Sequence, residues 1–321
     1  MAYRPSTTTA EPDREPVLNP VLSPEVADAI DGGRPVVALE STLLAHGLPA
    51  PDNHAVALEL ERLVRDAGAV PATVAVLDGV ARVGLTAPEL SRVCAGGMAK
   101  LSRRDLGVAV GLGLDGATTV ASTAALAHAA GIEVFATGGL GGVHRGARES
   151  WDVSADLGVL ATVPIVVVCS GVKSILDVAA TLEQLETLSV PVLGYGTNAF
   201  PGFYRRDSGC PSPWRVDGAD RVADVAAAHL RLGGGAGIVV ANPVPLADEL
   251  DAELHDRVLA EGLALVRERG IRGRDVTPAL LEHFHTATER ASLSCNIALV
   301  KSNAALAAKV ALELRARRGN R

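Results

Sequence analysis

The sequence predicts an α/β fold: a three-layer α/β/α arrangement around a mixed, largely parallel central sheet. Its 321 residues are 48% apolar but only 3% aromatic, so Ala, Val and Leu must fill the core, as is usual where helices pack closely on a parallel sheet. Short apolar runs alternate with stretches of helical apolar spacing along most of the chain. The polar residues least explained by solvation fall just after the apolar runs, on the sheet edge where such folds build sites.

Ser23-Pro24-Glu25 reads as an N-cap with Pro at the first helical position, opening a short helix that Gly32-Gly33 ends. Residues 35–39 form an apolar strand with Glu40 at its carboxyl end, and the prolines and His46-Gly47 make 41–53 a loop. Helical spacing over 55–67 is closed by Gly68. Residues 73–77 and 80–84 flank Asp78-Gly79, a signal for an antiparallel hairpin, which is why the sheet is expected to be mixed. Thr86-Ala-Pro-Glu89 starts a further helix with a capping box, and the chain returns through Lys100 to a strand over 108–110.

Gly111-Leu-Gly113-Leu-Asp-Gly116 follows that strand and precedes a helix over 117–130, matching the G-x-G-x-x-G dinucleotide fingerprint. The acid that should hold a ribose is missing, because the next strand, 134–136, ends in Thr137-Gly138 and Glu133 lies at its start. A tight strand-to-helix turn is the preferred reading.

The densest run of polar groups spans 136–177. GGLGGVHRG offers backbone N–H groups to a bound anion with His144-Arg145 beside them, although glycine clusters also occur in plain surface loops. In Asp152-Val-Ser154-Ala-Asp156, two carboxylates on one side of an extended chain suit a hard divalent cation or sugar hydroxyls. The alternative is a helix capped by Ser154 with Asp156 favouring its dipole. Residues 163–169 are an unbroken apolar strand that turns at Ser170-Gly-Val-Lys173 into a helix over 174–188. Lys173 is a candidate amine nucleophile, since desolvation and the helix dipole both disfavour an ammonium there; the alternative is a lysine reaching to solvent.

A strand over 190–195 comes next, then a loop from 197 holding most of the aromatics, read as a lid or subunit contact. A helix over 221–230 and a strand over 237–241 lead to Asn242-Pro243-Val-Pro245, and helices over 247–269, 277–290 and 294–317 complete the chain. Asn296, Lys301 and Asn303, near the start of the last helix, either cap it or face a ligand. Without a repeat or a strong linker, 17–321 is expected to be one domain behind a disordered tail over 1–16.

A net charge of −7 with acids and bases interspersed, and no Lys/Arg stripe, disfavours a nucleic-acid polymer as partner. Cys94, Cys169, Cys210 and Cys295 lack C-x-x-C spacing, which argues against a zinc site or a disulfide framework and fits a reducing cytoplasm. No apolar run reaches the roughly 18 residues of a membrane helix. What remains is a carboxylic acid, a perturbed lysine, an anion loop and a metal-compatible aspartate along one sheet edge. Such a set suits Schiff-base chemistry on a sugar phosphate.

The same residues carry a resemblance. VVALESTLLAHGLPAPDN, KLSRRDL, GATTVAST, VFATGGLGGVHRGA, DVSADL, VVCSGVKSILD, YGTNAFPGFY, ANPVP and SLSCNIALV, in this order from about residue 35 onward, look like the pseudouridine-5′-phosphate glycosidase family, also called indigoidine synthase A-like. The resemblance implies cleavage of the C–C glycosidic bond of pseudouridine 5′-phosphate to uracil and ribose 5-phosphate, a divalent metal, typically Mn2+, and a homotrimer. It makes Lys173 the covalent lysine, Glu40 the proton donor and Asp152 the metal-associated aspartate. Ser154, Ala155 and Asp156 become a substrate-binding triplet, with Lys100, Val120, His144 and Asn296 as further substrate contacts. Ser170, where the family more often has Ala, and Asn198, where an acid is expected, depart from its pattern.

A uracil joined through carbon is a poor leaving group for a two-carboxylate glycosidase. The expected route is protonation of the ribose ring oxygen by Glu40 while Lys173 attacks C1′, followed by a retro-Mannich-like loss of uracil. Two rivals remain: another Schiff-base sugar-phosphate lyase, aldolase-like, and a non-catalytic nucleotide-binding protein.

Overall fold

The computed structural model describes residues 19–271, 273 and 276–319, so the tail expected over 1–16 lies outside the described residues. In chain order the strands are β1 (Val21–Leu22), β2 (Val36–Leu39), β3 (Val70–Leu77), β4 (Val80–Val83), β5 (Ala99–Leu101), β6 (Gly116–Thr118), β7 (Val134–Ala136), β8 (Val166–Cys169), β9 (Val192–Tyr195), β10 (Trp214–Val216) and β11 (Ile238–Ala241). They form an eleven-stranded sheet with the path β1-β4-β3-β2-β7-β8-β11-β9-β10, β6 pairing with β3 and β5 with β6. From β3 to β10 this path is parallel throughout, whereas β3 meets β4 and β6 antiparallel. The antiparallel part follows from Asp78-Gly79, whose φ values of 51° and 72° are the left-handed pair that a tight hairpin needs.

β2, β3, β8 and β11 are buried at every position, as strands covered on both faces must be. Helix Ala291–Gly319 packs against both Asp52–Asp66 and Ala219–Arg231, and Val120–Ala129 packs with Ala155–Leu160, giving the α/β/α layering. Local signals set several helix starts. Ser23 accepts from the Val26 N–H at the head of Pro24–Asp31, and the capping box of Thr86 and Glu89 opens Ala87–Cys94.

Three expectations about local structure are corrected. Residues 108–110 lie in helix Leu106–Gly111 and are not a strand; Val108 and Val110 are exposed, and the Ser102 N–H donates to Asp105 at 2.9 Å, starting a helical turn that overrides their β propensity. The G-x-G-x-x-G run therefore follows a helix and leads into β6, which removes the strand-to-helix context a dinucleotide fingerprint requires. Likewise the helix after Lys173 begins only at Val178, capped by Asp177 through the Ala180 N–H at 3.0 Å. The helix expected from 117 begins at Val120, because 116–118 form β6, and the short strands β1, β5 and β10 carry no periodic signal.

Register fixes which residues meet at the sheet's carboxyl edge. Leu39 is level with Ala136, and Ala136 with Val168, while Cys169 is level with Ala241. One residue further along, Glu40 leaves β2, Thr137 leaves β7, Ser170 leaves β8 and Asn242 leaves β11, all on the same edge.

Candidate active site

A cavity of about 390 Å³ opens at this edge, and the ten residues that the resemblance assigns to the site all line it: Glu40, Lys100, Val120, His144, Asp152, Ser154, Ala155, Asp156, Lys173 and Asn296, whereas Arg145, Lys301 and Asn303 do not. Residues from the end of β2 to the last helix are brought together because β2, β7 and β8 are neighbours and helix Ala291–Gly319 packs across them.

Glu40 is buried, and both its carboxylate oxygens accept hydrogen bonds, Oε2 from the Thr42 hydroxyl and Oε1 from the Thr137 hydroxyl. Neither threonine was expected as a site residue. Thr42 follows Glu40 by two positions and Thr137 is the first residue beyond β7, so strand-end position was the signal available for both.

Lys173 is half-buried and faces the cavity. Its position is set by strand-like pairing and not by a helix terminus: its N–H donates to the Leu140 carbonyl at 3.1 Å, and the Leu140 N–H donates to the Gly171 carbonyl at 2.9 Å. Because the helix starts only at Val178, its dipole does not act at Lys173, which is constrained instead by enclosure within the cavity walls. Cys169, at the end of the same strand, is fully buried and its thiol is pushed up to about 12 by desolvation.

The glycine loop does other work than expected. The N–H groups of Leu140, Gly141 and Val143 are taken by the Gly171 carbonyl, Asp156 Oδ2 and the Thr181 hydroxyl respectively. Its glycines give space: a Cβ on Gly141 would sit 2.3 Å from Ser154 Oγ and 2.8 Å from Asp156 Oδ2, and one on Gly139 would sit 2.6 Å from the Phe203 ring. Phe203 itself belongs to the aromatic loop, which is no external lid. Phe200, Phe203 and Tyr204 are buried, and the Phe203 N–H donates to the Ser170 carbonyl at 2.9 Å.

Asp152 and Asp156 do not form a pair along one extended segment. Ser154 caps helix Ala155–Leu160 by accepting from the Asp156 N–H, and buried Asp156 accepts from the Ala121 N–H at 3.0 Å and the Gly141 N–H at 2.8 Å. It thereby ties the first turn of helix Val120–Ala129 to the glycine loop. Asp152 instead stands across from His144, with Oδ2 3.8 Å from Nδ1. Burial holds the His144 imidazole below its ordinary value, Asp152 opposes this, and the neighbouring Lys100 and Lys173 side chains reinforce it.

Among the described residues no group of three or more His, Cys, Asp or Glu side chains could hold a metal ion. The donor set at Asp152 fits a hydrated hard divalent cation held through one carboxylate, and not an all-protein cage. Lys100 lies on β5, level with Ala117 of β6, and lines the cavity with Thr119 and Val120, the start of a helix whose first N–H groups favour an anion. His46 and Ser102 line the same cavity; His46 is held below its ordinary value by burial and by Lys100.

The model of the family described as indigoidine synthase A like protein matches residues 25–313. The chain is 59% identical over 295 residues to a pseudouridine-5′-phosphate glycosidase of Salinispora tropica, covering 91% of each protein. It is 57% identical over 317 residues to one of Streptomyces griseus subsp. griseus, covering 97% of this chain and 98% of the relative. Among solved structures, the prealnumycin C-glycosynthase AlnA in complex with ribulose 5-phosphate superposes with a TM-score of 0.88 at 37% identity, covering 96% of this chain and all (100%) of that one. An indigoidine synthase A-like protein from Thermotoga maritima gives a TM-score of 0.84 at 34% identity, covering 93% of this chain and 97% of that one. With family model, sequence relatives and fold in agreement along nearly its whole length, the chain belongs to the indigoidine synthase A-like family of pseudouridine-5′-phosphate glycosidases.

Proposed function

We propose that this protein is a pseudouridine-5′-phosphate glycosidase, cleaving the C–C glycosidic bond of its substrate to uracil and ribose 5-phosphate, reversibly. The observation that carries this is the emergence of Glu40 and Lys173 from β2 and β8, on either side of β7, into one cavity. The substrate's phosphate is assigned to Lys100, His144 and the first turn of helix Val120–Ala129. Asn296 and the Ser154–Asp156 turn hold the nucleoside.

Glu40, oriented by Thr42 and Thr137, gives its proton to the ribose ring oxygen. Lys173, as the free amine, forms an Nζ–C1′ bond while the C1′–O4′ bond breaks and the ring opens. The C1′–C5 bond to uracil then breaks, C5 takes up a proton, and the lysine nitrogen supplies the electron pair that leaves a C1′ iminium. Water hydrolyses the iminium, releasing ribose 5-phosphate and restoring Lys173. A divalent cation, assigned as Mn2+ at Asp152, would contribute positive charge and ordered water beside the sugar.

The same reading makes the protein a cytoplasmic homotrimer acting on a small molecule, with neither a nucleic-acid polymer nor a membrane as partner. Among the described residues no helix is long and apolar enough to cross a membrane. Release of uracil from pseudouridine 5′-phosphate, assayed with and without manganese, tests the assignment. An aldolase-like lyase would leave the substrate intact, and a binding protein would bind it without turnover.

A further inference from the structure

Asn303 lies on helix Ala291–Gly319, is wholly buried, and does not line the cavity. Its amide nevertheless bonds to the first residue beyond each of three neighbouring parallel strands. Nδ2 donates to the Thr137 carbonyl after β7 at 2.9 Å and to Ser170 Oγ after β8 at 3.1 Å. Oδ1 accepts from Asn242 Nδ2 after β11, also at 2.9 Å. A single carboxamide has two donors and an acceptor oxygen with two lone pairs, and here it spends both kinds on the edge where the site is built.

Two of those three residues lead directly to the reacting groups. Thr137 gives its hydroxyl to Glu40, across from β7 to β2. Ser170 begins the turn to Lys173, and its own N–H donates to the Gly138 carbonyl at 2.8 Å, so the β7 and β8 exits are also bonded to each other. An amide with no solvent to compete for it is a stiff link, since each bond lost would leave a buried polar atom unpaired.

We propose that Asn303 is a positioning residue that sets the separation of Glu40 and Lys173 by fastening Thr137 and Ser170 to one side chain. This rests on the assignment of Glu40 and Lys173 as the reacting pair. A displacement of about 1 Å in such a pair costs roughly ten- to hundredfold in turnover, while ground-state binding of the phosphate and base, made by other residues, is spared.

A double-mutant cycle on pseudouridine 5′-phosphate cleavage tests it, using Asn303→Ala, Thr137→Val and the double variant. Asn303→Ala should lower kcat at least tenfold with KM within about threefold, shift the acid limb of the kcat–pH profile, and have a much smaller effect on kcat in the Thr137→Val background. An equal factor in both backgrounds, or a folded Asn303→Ala protein with wild-type kcat and pH profile, overturns it. If Asn303→Ala does not fold, Asn303→Ser, which keeps one donor, serves in the same cycle and is read the same way. Lys173→Ala measured alongside separates the two failures: turnover surviving there sinks the catalytic assignment, whereas turnover lost there but kept in Asn303→Ala sinks only the positioning role.

Discussion

Thr137 donates its hydroxyl hydrogen bond to Glu40 across the boundary between β7 and β2, one residue past their aligned ends. The pairing exists because parallel strands in register deliver equivalent backbone positions to one edge. Together with Thr42 it leaves neither carboxylate oxygen without a donor, so the orientation of the Glu40 side chain is held from two directions.

Replacing Thr137 by Val keeps the side-chain shape and removes that donor. A hydrogen bond to a carboxylate is worth about 1.5–3 kcal/mol, and kcat is expected to fall by about tenfold or more with little change in KM. Steady-state kinetics on the variant, with circular dichroism to show that it folds, checks this.

Gly141→Ala is expected to damage both stability and activity. The new methyl would overlap Ser154 Oγ at 2.3 Å and Asp156 Oδ2 at 2.8 Å, displacing the carboxylate that ties the glycine loop to helix Val120–Ala129. Overpacking of this kind costs about 1–3 kcal/mol, visible as a lower midpoint in chemical denaturation.

Burial holds His46, His144, His255 and His285 below the ordinary histidine value. Each therefore binds its proton more readily in the unfolded chain. The stability they allow is complete above the unfolded value of about 6.5 and is lost as pH falls from there through the depressed folded values. Thermal midpoints should drop between neutral pH and about pH 5, and His285→Gln, at a residue that does not line the cavity, should flatten that slope.

Metal dependence is expected to run through Asp152. Chelation with EDTA should lower uracil release and added Mn2+ should restore it, while Asp152→Asn should lose the response to Mn2+ without losing the fold. Full activity of the metal-stripped protein would return Asp152 to a sugar-binding or structural role beside His144.

Much of the fold was legible because strong local signals agreed with the tertiary outcome: the Asp78-Gly79 hairpin, the caps at Ser23 and Thr86, and the apolar runs that became β2 and β8. Val108 and Val110 misled because a capping box two turns of chain earlier outweighed their β-branched side chains. Gly138–Gly142 looked like an anion nest, yet glycine is needed there for the approach of Phe203, Ser154 and Thr181, which are distant in sequence. Thr137 carried no signal beyond its strand-end position, and Asn303, expected to cap its helix or face a ligand, instead bonds the strand exits from a buried position. Their roles arise from partners 97 and 166 residues away, and no local pattern encodes a pairing that the sheet order creates.

The covalent role of Lys173 is most directly tested by borohydride reduction during turnover of pseudouridine 5′-phosphate, followed by peptide mass spectrometry. The result expected is a reduced ribose 5-phosphate adduct on the Lys173 peptide, absent without substrate and absent in Lys173→Ala, which should not turn over. A Lys173→Ala protein that releases uracil at near wild-type rate, or an active wild-type enzyme that yields no adduct, would contradict it.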